Sequence, residues 1–262
     1  MKVLFNILLF LFIAVNSYSS PKILDVGEEL NYRAYFGFIK LGEVKFKITS
    51  SYTEDKKNFY NAMATIKSYE GIPFVTVNFI FETTMEKEKD EVFSQKFYSS
   101  EFKDKSITRE EYKFKYNKKV IEVKKETDDN IDKEYKVNID ENTKYQDGLS
   151  IFYNARLQSF TNKNYIVPVF INQQQSSVRY SYNVNQDAVS SDLVDYDMAV
   201  VKIAGVADFV GVFGLTGEFV GWFSDDKARV PIKAQFNVKI GSISLELYSY
   251  KKSNWKPPVF EK

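Results

Sequence analysis

Strict alternation of apolar and other residues is the feature that most constrains the fold of this chain. Between residues 230 and 240, apolar side chains occupy the even-numbered positions, and proline or polar side chains occupy the odd-numbered ones. The same period of two recurs within residues 30–36, 44–48, 112–116 and 178–184. A strand with one face against a core and one face in water has this period, which is typical of antiparallel sheets. Residues 58–89 fit either a strand or a short helix beneath the sheet.

Two glycines stand where the alternation changes phase by one residue. Gly42 and Gly241 each follow a lysine and an aliphatic residue, and each precedes a new alternating run. A glycine at a phase shift is what a β-bulge or a tight corner requires. The two sites are either equivalent corners of a strongly bent sheet or a chance likeness between two amphipathic strands.

The composition excludes several classes of chemistry. The chain has no histidine and no cysteine, which excludes Ser-His and Cys-His nucleophiles, the common zinc sites and disulfides. Its 36 Lys and Arg residues nearly balance its 35 Asp and Glu residues, so no nucleic-acid partner is predicted. Asp128, Asn130 and Asp132 resemble the start of a calcium loop, but Lys133 and Ile139 replace the glycine and glutamate that such a loop needs. We therefore predict neither a metal nor a cofactor.

The N-terminal segment has the layout of a secretory signal peptide. Lys2 is followed by an apolar run from residue 3 to residue 15, interrupted only by Asn6, and then by small residues at Ser17 and Ser19. The run is shorter than the roughly 20 residues that span a bilayer. We predict a signal peptide at 1–19, one β-rich domain at 20–262 and no transmembrane segment in the mature chain. The alternative is an uncleaved N-terminal anchor.

One segment has the spacing of a helix. Asp147 is a candidate N-cap, and Leu149, Tyr153, Arg156 and Phe160 follow at intervals of three and four along the predicted helix 147–160. Arg156 lies within this apolar stripe. A guanidinium in that position must either extend out to solvent or find a carboxylate.

The segment Ser224–Arg229 places two acids and two bases directly before the alternating run 230–240. Asp225 and Asp226 are typical turn residues, which favours a hairpin corner. Two alternatives remain open: a salt bridge from this turn to Arg156, and carboxylate catalysis. Together with Asp147 and Arg229, these residues form the predicted structural polar cluster.

A glycine-rich apolar segment spans residues 205–223 and holds five of the 11 glycines. It predicts two strands around the turn at residues 214–217. The hairpin is either simply buried or a flexible flap that lines a ligand cavity or touches a membrane. The candidate ligand-binding residues are Phe209, Phe213, Leu215, Phe219 and Trp222.

Three segments resemble an exported bacterial family, domain of unknown function 3108. They are residues 30–48, 145–157 and 222–247, and the features that carry the resemblance are Gly42, Asp147, Arg156, Ser224, Asp225, Asp226, Arg229, Pro231 and Gly241. The resemblance implies a β-rich, open-barrel-like fold in the bacterial envelope, and it implies no activity.

We thus predict a strongly curved antiparallel sheet or open β-barrel, with one short helix packed against it. The leading hypothesis is a non-catalytic, periplasmic or envelope-associated protein that binds an apolar ligand such as a lipid in the concave face. One alternative is a scaffold or assembly factor that binds another envelope protein through a sheet edge. A carboxylate-dependent hydrolase that uses Asp225 or Asp226 is the third.

Overall fold

The strands form a single antiparallel sheet built from two meanders. The structure, a computed structural model, describes residues 22–72, 76–238 and 241–261, and 14 strands of this part form one sheet in the order β8-β7-β6-β5-β4-β3-β2-β1-β14-β13-β12-β11-β10-β9. The first and last strands thus pair at its centre. The strands are β1 (Glu29–Phe36), β2 (Ile39–Glu54), β3 (Lys57–Ser68), β4 (Asn78–Glu88), β5 (Glu91–Lys103), β6 (Ser106–Lys115), β7 (Val120–Thr127), β8 (Asn130–Asn138), β9 (Asn164–Ile171), β10 (Gln174–Val189), β11 (Met198–Ala207), β12 (Gly217–Ser224), β13 (Pro231–Asn237) and β14 (Ser242–Lys251).

The two ends of the sheet approach each other without forming a shared strand ladder. Over the described residues, β8 and β9 are both edge strands. The segment between β8 and the helix links β9 to the interior strand β5 of the other meander: the carbonyl of Tyr145 accepts from the N–H of Ser94 on β5, at 2.9 Å. On its other side, Gln146 exchanges backbone hydrogen bonds with Pro168 and Phe170 on β9, at 2.9 and 2.8 Å. The predicted curved, barrel-like sheet is confirmed.

One helix, α1 (Ser150–Gln158), lies inside the curve of the sheet. Leu149 and Tyr153 pack with residues of β2–β7, whereas Ala155 packs with residues of β9–β12. The ring of Phe152 stacks on Phe46 of β2, with centroids 4.1 Å apart. The helix therefore joins the two halves of the core, as its apolar spacing predicted, although it is shorter than the predicted 147–160.

Gly42 is required where β1, β2 and β3 come together. The pairing of β1 with β2 shifts at this point, since Ala34 pairs with Gly42 but Tyr35 pairs with Lys40. A Cβ atom at residue 42 would lie 2.2 Å from the carbonyl oxygen of Lys67. The glycine permits both the bulge and this close backbone approach, as its phase shift predicted.

Residues 58–89, which fitted either a strand or a helix, belong mainly to β3 and β4, with 73–75 outside the described residues. The predicted signal peptide at 1–19 also lies outside them, as do Lys239 and Ile240 before Gly241. In the part of the chain that the structure describes, no helix has the length and apolar character needed to cross a bilayer.

Candidate ligand cavity and buried charge cluster

An apolar cavity of about 280 Å³ lies on the concave face of the sheet. The register of β1–β4 explains its first wall, because cross-strand pairing aligns Phe46 with Ala64 and Ala64 with Phe81 on one face. The second wall comes from β10–β14, and Phe152 on α1 also lines the space. Lys233 is the one charged residue among the described lining residues, and its ammonium is 2.6 Å from Oε1 of Glu246.

The glycine-rich segment contributes three of its five candidate residues to this cavity. Phe209, Leu215 and Phe219 line the space. Trp222 is not among the lining residues, and its direct neighbours across the sheet are Lys202 and Lys233. The side chain of Phe213 lies outside the described part of the structure.

The predicted hairpin is present as β11 and β12, but its connection is longer than a tight turn. Residues 208–216, here called the flap, include a 3₁₀ turn at Val212–Gly214. The flap is anchored at its start, where Asp208 accepts from Oγ of Ser177 at 2.9 Å and from Nη2 of Arg179 at 3.2 Å. Nδ2 of Asn172 donates to the carbonyl of Val210 at 2.6 Å, which fixes the flap to the β9–β10 turn.

A second cavity of about 300 Å³ is also lined in part by the flap. The two cavities share part of their lining, namely Phe81, Gly148, Phe209, Gly211 and Val212. In contrast to the first, the second cavity is lined by several polar residues, which are Ser99, Glu101, Thr108, Glu110, Lys125 and Asn172. The flap therefore borders both an apolar space and a more polar one.

Arg156 forms a buried ion cluster that the sequence analysis did not foresee. Its Nη1 and Nη2 atoms donate to Oε1 and Oε2 of Glu28 at 2.5 and 2.9 Å, and Nζ of Lys252 donates to Oε2 of Glu28 at 2.5 Å. Arg156 reaches the turn through backbone carbonyls alone, donating to those of Ala228 and Arg229, each at 3.1 Å. The hypothesis of a salt bridge from this turn to Arg156 is therefore wrong: the partner carboxylate is Glu28.

Glu28 and Arg156 each stabilise the charge of the other. Burial alone would raise the pKa of Glu28, but the charges and hydrogen bonds of Arg156 and Lys252 outweigh it, and the pKa is lowered. Burial opposes the charge of Arg156, but Glu28 outweighs this effect and raises the pKa of the guanidinium. For Lys252, burial and the nearby Arg156 together prevail over Glu28, so its pKa is lowered. The cluster is thus centred on an ionised Glu28.

The turn Ser224–Arg229 connects β12 to β13 and is held by its own acids. Oδ1 of Asp226 accepts from the N–H groups of Ala228 and Arg229, at 2.9 and 3.1 Å. Its Oδ2 accepts from Nε1 of Trp255 at 2.7 Å. Asp225 instead accepts from Nη1 of Arg229 at 2.6 Å. The two carboxylates therefore serve different partners, as expected of a structural corner.

Asp147 belongs to a separate site at the start of α1. Its Oδ1 accepts from the N–H groups of Leu149 and Ser150, at 2.7 and 2.8 Å, and its Oδ2 accepts from Thr83 and Ser94, at 2.5 and 2.7 Å. Burial raises the pKa of this carboxyl although these hydrogen bonds oppose the shift. The N-cap residue of α1 is Leu149 rather than the predicted Asp147, whose carboxylate instead binds the backbone at the start of the helix and ties it to β4 and β5. Of the predicted polar cluster, Arg229 thus contacts both Asp225 and Asp226. Arg156 contacts only the backbone of this turn, and Asp147 belongs to a different site.

No group of three or more Asp and Glu side chains with a geometry suited to a metal ion occurs among residues 22–72, 76–238 and 241–261.

Glu28 and Lys252 were missed because each lies beside other charged residues at the end of a strand, with no distinctive spacing. The need of Arg156 for a carboxylate was the one available signal.

Comparison with solved structures supports the architecture. A β-barrel-like protein of domain of unknown function DUF1849 from Brucella abortus superposes with a TM-score of 0.53 at 13% identity, over 89% of this chain and 99% of that one. A protein assigned as exported, with a YmcC-like fold, from Bacteroides fragilis gives a TM-score of 0.34 at 8% identity, over 89% and 99% of the two chains. At 13% identity, the first likeness shows the fold alone.

A protein assigned as a lipoprotein from Parabacteroides distasonis gives a TM-score of 0.37 at 10% identity, over 88% of this chain and 99% of that one. No curated protein matches the sequence. The model of a family described as "Protein of unknown function (DUF3108)" matches residues 31–248, which include both walls of the apolar cavity, Arg156 and the 224–229 turn. The chain therefore belongs to the DUF3108 family, as its three motif segments predicted.

Proposed function

We propose that this protein is a non-catalytic component of the bacterial envelope that binds an apolar ligand, such as a lipid chain, in the cavity on its concave face. The observation that carries the proposal is the lining of that cavity. Nearly all of its lining side chains are apolar, and its one described charged residue, Lys233, is paired with Glu246. The signal-peptide pattern at 1–19 supports export to the envelope.

The size and shape of the cavity favour a small or single-chain ligand. Small-molecule sites usually measure roughly 300–1,000 Å³, so a space of about 280 Å³ suits one chain rather than a lipid with several. Its walls come from both meanders of the sheet and from α1, so the cavity is a product of the whole fold. Aromatic rings such as Phe46, Phe152 and Phe219 provide rigid apolar surface.

The test is native mass spectrometry of the mature protein, purified from its host envelope, followed by organic extraction and identification of the released molecules. We expect a stoichiometric apolar adduct. Phe219→Glu places a carboxylate in the cavity wall and should abolish the adduct, because a buried unpaired charge is costly. A clean mass for the unmodified protein would contradict tight binding.

Trp222→Glu is the matched control. It makes a similar change on the same strand, but residue 222 lies outside the cavity and opposite Lys202 and Lys233, which can pair with the new carboxylate. We expect this variant to retain the adduct. Loss of the adduct in both variants would indicate general destabilisation of the hairpin rather than a ligand site.

A second candidate function is a scaffold that binds a partner through the outer edge of β8. This strand ends the sheet and is largely exposed, with Ile131 and Tyr135 at 59% and 37% exposure. An extended segment of a partner can add to such an edge. If the protein carries no adduct, crosslinking from a photoreactive residue at position 131 tests this alternative, and the absence of any crosslinked envelope protein would contradict it.

A further inference from the structure

The two cavities that flank the flap suggest what kind of ligand the protein takes. Resting on the proposed function, we infer that the ligand is a single-chain amphiphile with an uncharged, hydroxyl-bearing head group. Its chain lies in the apolar cavity and its head lies in the second cavity. The shared lining at Phe81, Gly148 and Phe209 is the point at which chain and head meet.

The strand register produces the change from apolar to polar along one row of the sheet. Phe81 on β4 pairs with Ser99 on β5, Ser99 pairs with Glu110 on β6, and Glu110 pairs with Lys125 on β7. Directly paired residues face the same side of a sheet. The row therefore leaves the apolar cavity at Phe81 and ends among polar groups at Lys125.

The charges of the polar cavity are already matched within the protein. Nζ of Lys125 is 3.3 Å from Oε1 of Glu110, and Glu110 also accepts from Oη of Tyr112 and Nε2 of Gln173, at 2.5 and 2.8 Å. The other acid, Glu101, is 3.0 Å from Nζ of Lys103. Neither sign of charge is left in excess to recognise an ionic head.

The hydroxyl groups of the polar cavity suit a head that both donates and accepts hydrogen bonds. Ser99 and Thr108 lie in its lining, and each hydroxyl can act in both roles. A carboxylate head, such as that of a fatty acid, would instead lie near Glu101 and Glu110 with no unpaired cation to receive it. Repulsion and desolvation would both weaken its binding.

Two calorimetric titrations test the inference on the delipidated full protein. We expect 1-monodecanoylglycerol, which has an uncharged diol head, to bind at least about tenfold more tightly than decanoate, which has the same acyl length and an ionised head. Equal affinity, or tighter binding of decanoate, would overturn the head-group assignment while leaving the apolar site in place. Binding of neither ligand would overturn both this inference and the proposed function.

A charge variant locates the head group. Glu110→Gln keeps the shape of the side chain but leaves Lys125 without its carboxylate, so decanoate should bind about tenfold more tightly to this variant than to the unmodified protein. Glu122→Gln is the control, because Glu122 lies on the opposite face of β7, where it pairs with Lys136 at 3.6 Å. An unchanged decanoate affinity in the Glu110 variant, with its circular dichroism intact, would show that the head does not lie in this cavity.

Discussion

Arg156 and Glu28 form a two-point ion pair inside the protein, with hydrogen bonds of 2.5 and 2.9 Å between guanidinium and carboxylate. Both residues are essentially inaccessible to solvent. Lys252 completes the cluster from the end of β14. Because Glu28 precedes β1, Arg156 lies on α1 and Lys252 follows β14, the cluster joins three distant parts of the chain at one buried point.

We expect Glu28→Gln to lower the free energy of unfolding by about 3–5 kcal/mol, because it leaves buried positive charge without a carboxylate. Urea unfolding measures the loss. The control is the neighbouring Glu29→Gln, which removes a partly exposed pair with Lys45 at 2.6 Å and should cost at most about 1 kcal/mol. Similar losses in the two variants would contradict a special role for the buried pair.

The same carboxyl should make the protein sensitive to acid. The folded pKa of Glu28 lies below its ordinary value of 4.5, so the unfolded chain binds this proton more tightly. The stabilisation is therefore complete above about pH 4.5 and is lost as the pH falls through the folded pKa. Asp147, whose folded pKa is raised from 3.8, has the opposite sign: its contribution is lost as the pH rises.

Urea midpoints measured between about pH 7 and pH 3 test this dependence. The unmodified protein should lose more stability toward acid than Glu28→Gln, whose side chain does not titrate. Parallel pH profiles for the two proteins would show that the acid response comes from other carboxyl groups.

We expect Gly42→Ala to destabilise the protein by about 1–3 kcal/mol, because the added Cβ overlaps the backbone of β3 and the strands must move apart. Gly148→Ala is the control, since a Cβ at residue 148 would meet no atom within 4 Å. Thermal unfolding compares them. A Gly42 variant as stable as the Gly148 variant would mean that the strands separate there at little cost.

Asp226 should matter more to the 224–229 turn than Asp225. In Asp226→Asn, the single amide oxygen cannot accept from both the turn and the indole of Trp255, so a buried donor loses its partner at a cost of about 1–3 kcal/mol. In Asp225→Asn, the amide oxygen can still accept from Arg229, and we expect a cost below about 1 kcal/mol.

Chemical unfolding gives these costs, and tryptophan emission, which should shift to the red in the Asp226 variant, reports the freed indole. Neither change should alter ligand capture, because neither residue lines a cavity. An enzymatic turnover that is abolished by either variant would instead favour the hydrolase hypothesis.

The strands were predictable because most of them bury one face. A strand of this kind alternates apolar and polar residues with a period of two, and this alternation can be read directly from the sequence. The glycine at position 42 was predictable for a similar reason, since the phase of the pattern changes there. Trp222 differs from the lining residues Phe219 and Phe223 in its phase along β12, which apolar character alone does not reveal. Phe219 and Phe223 each lie two positions from Gly221 and share its face of the strand, whereas Trp222 lies on the opposite face.

The partner of Arg156 could not be predicted in the same way. The sequence shows that a buried guanidinium needs a carboxylate, but it does not show which of 35 acids supplies it. Glu28 is 128 residues away and stands beside a second glutamate of similar local context. The choice depends on how α1 packs against β1 and β2, a long-range relation that no local pattern encodes.

The meeting of β1 and β14 at the centre of the sheet also sets the order in which this chain can complete its fold. A chain is synthesised from its N-terminus, so β1 must keep one edge unpaired until more than 200 residues later, when β14 becomes available. The ion pair between Glu28 and Lys252 likewise cannot form until the segment after β14 has been synthesised. The last strand therefore acts as the closing step of folding, and a chain interrupted before it would expose an apolar strand edge at the middle of the sheet, where aggregation begins most easily.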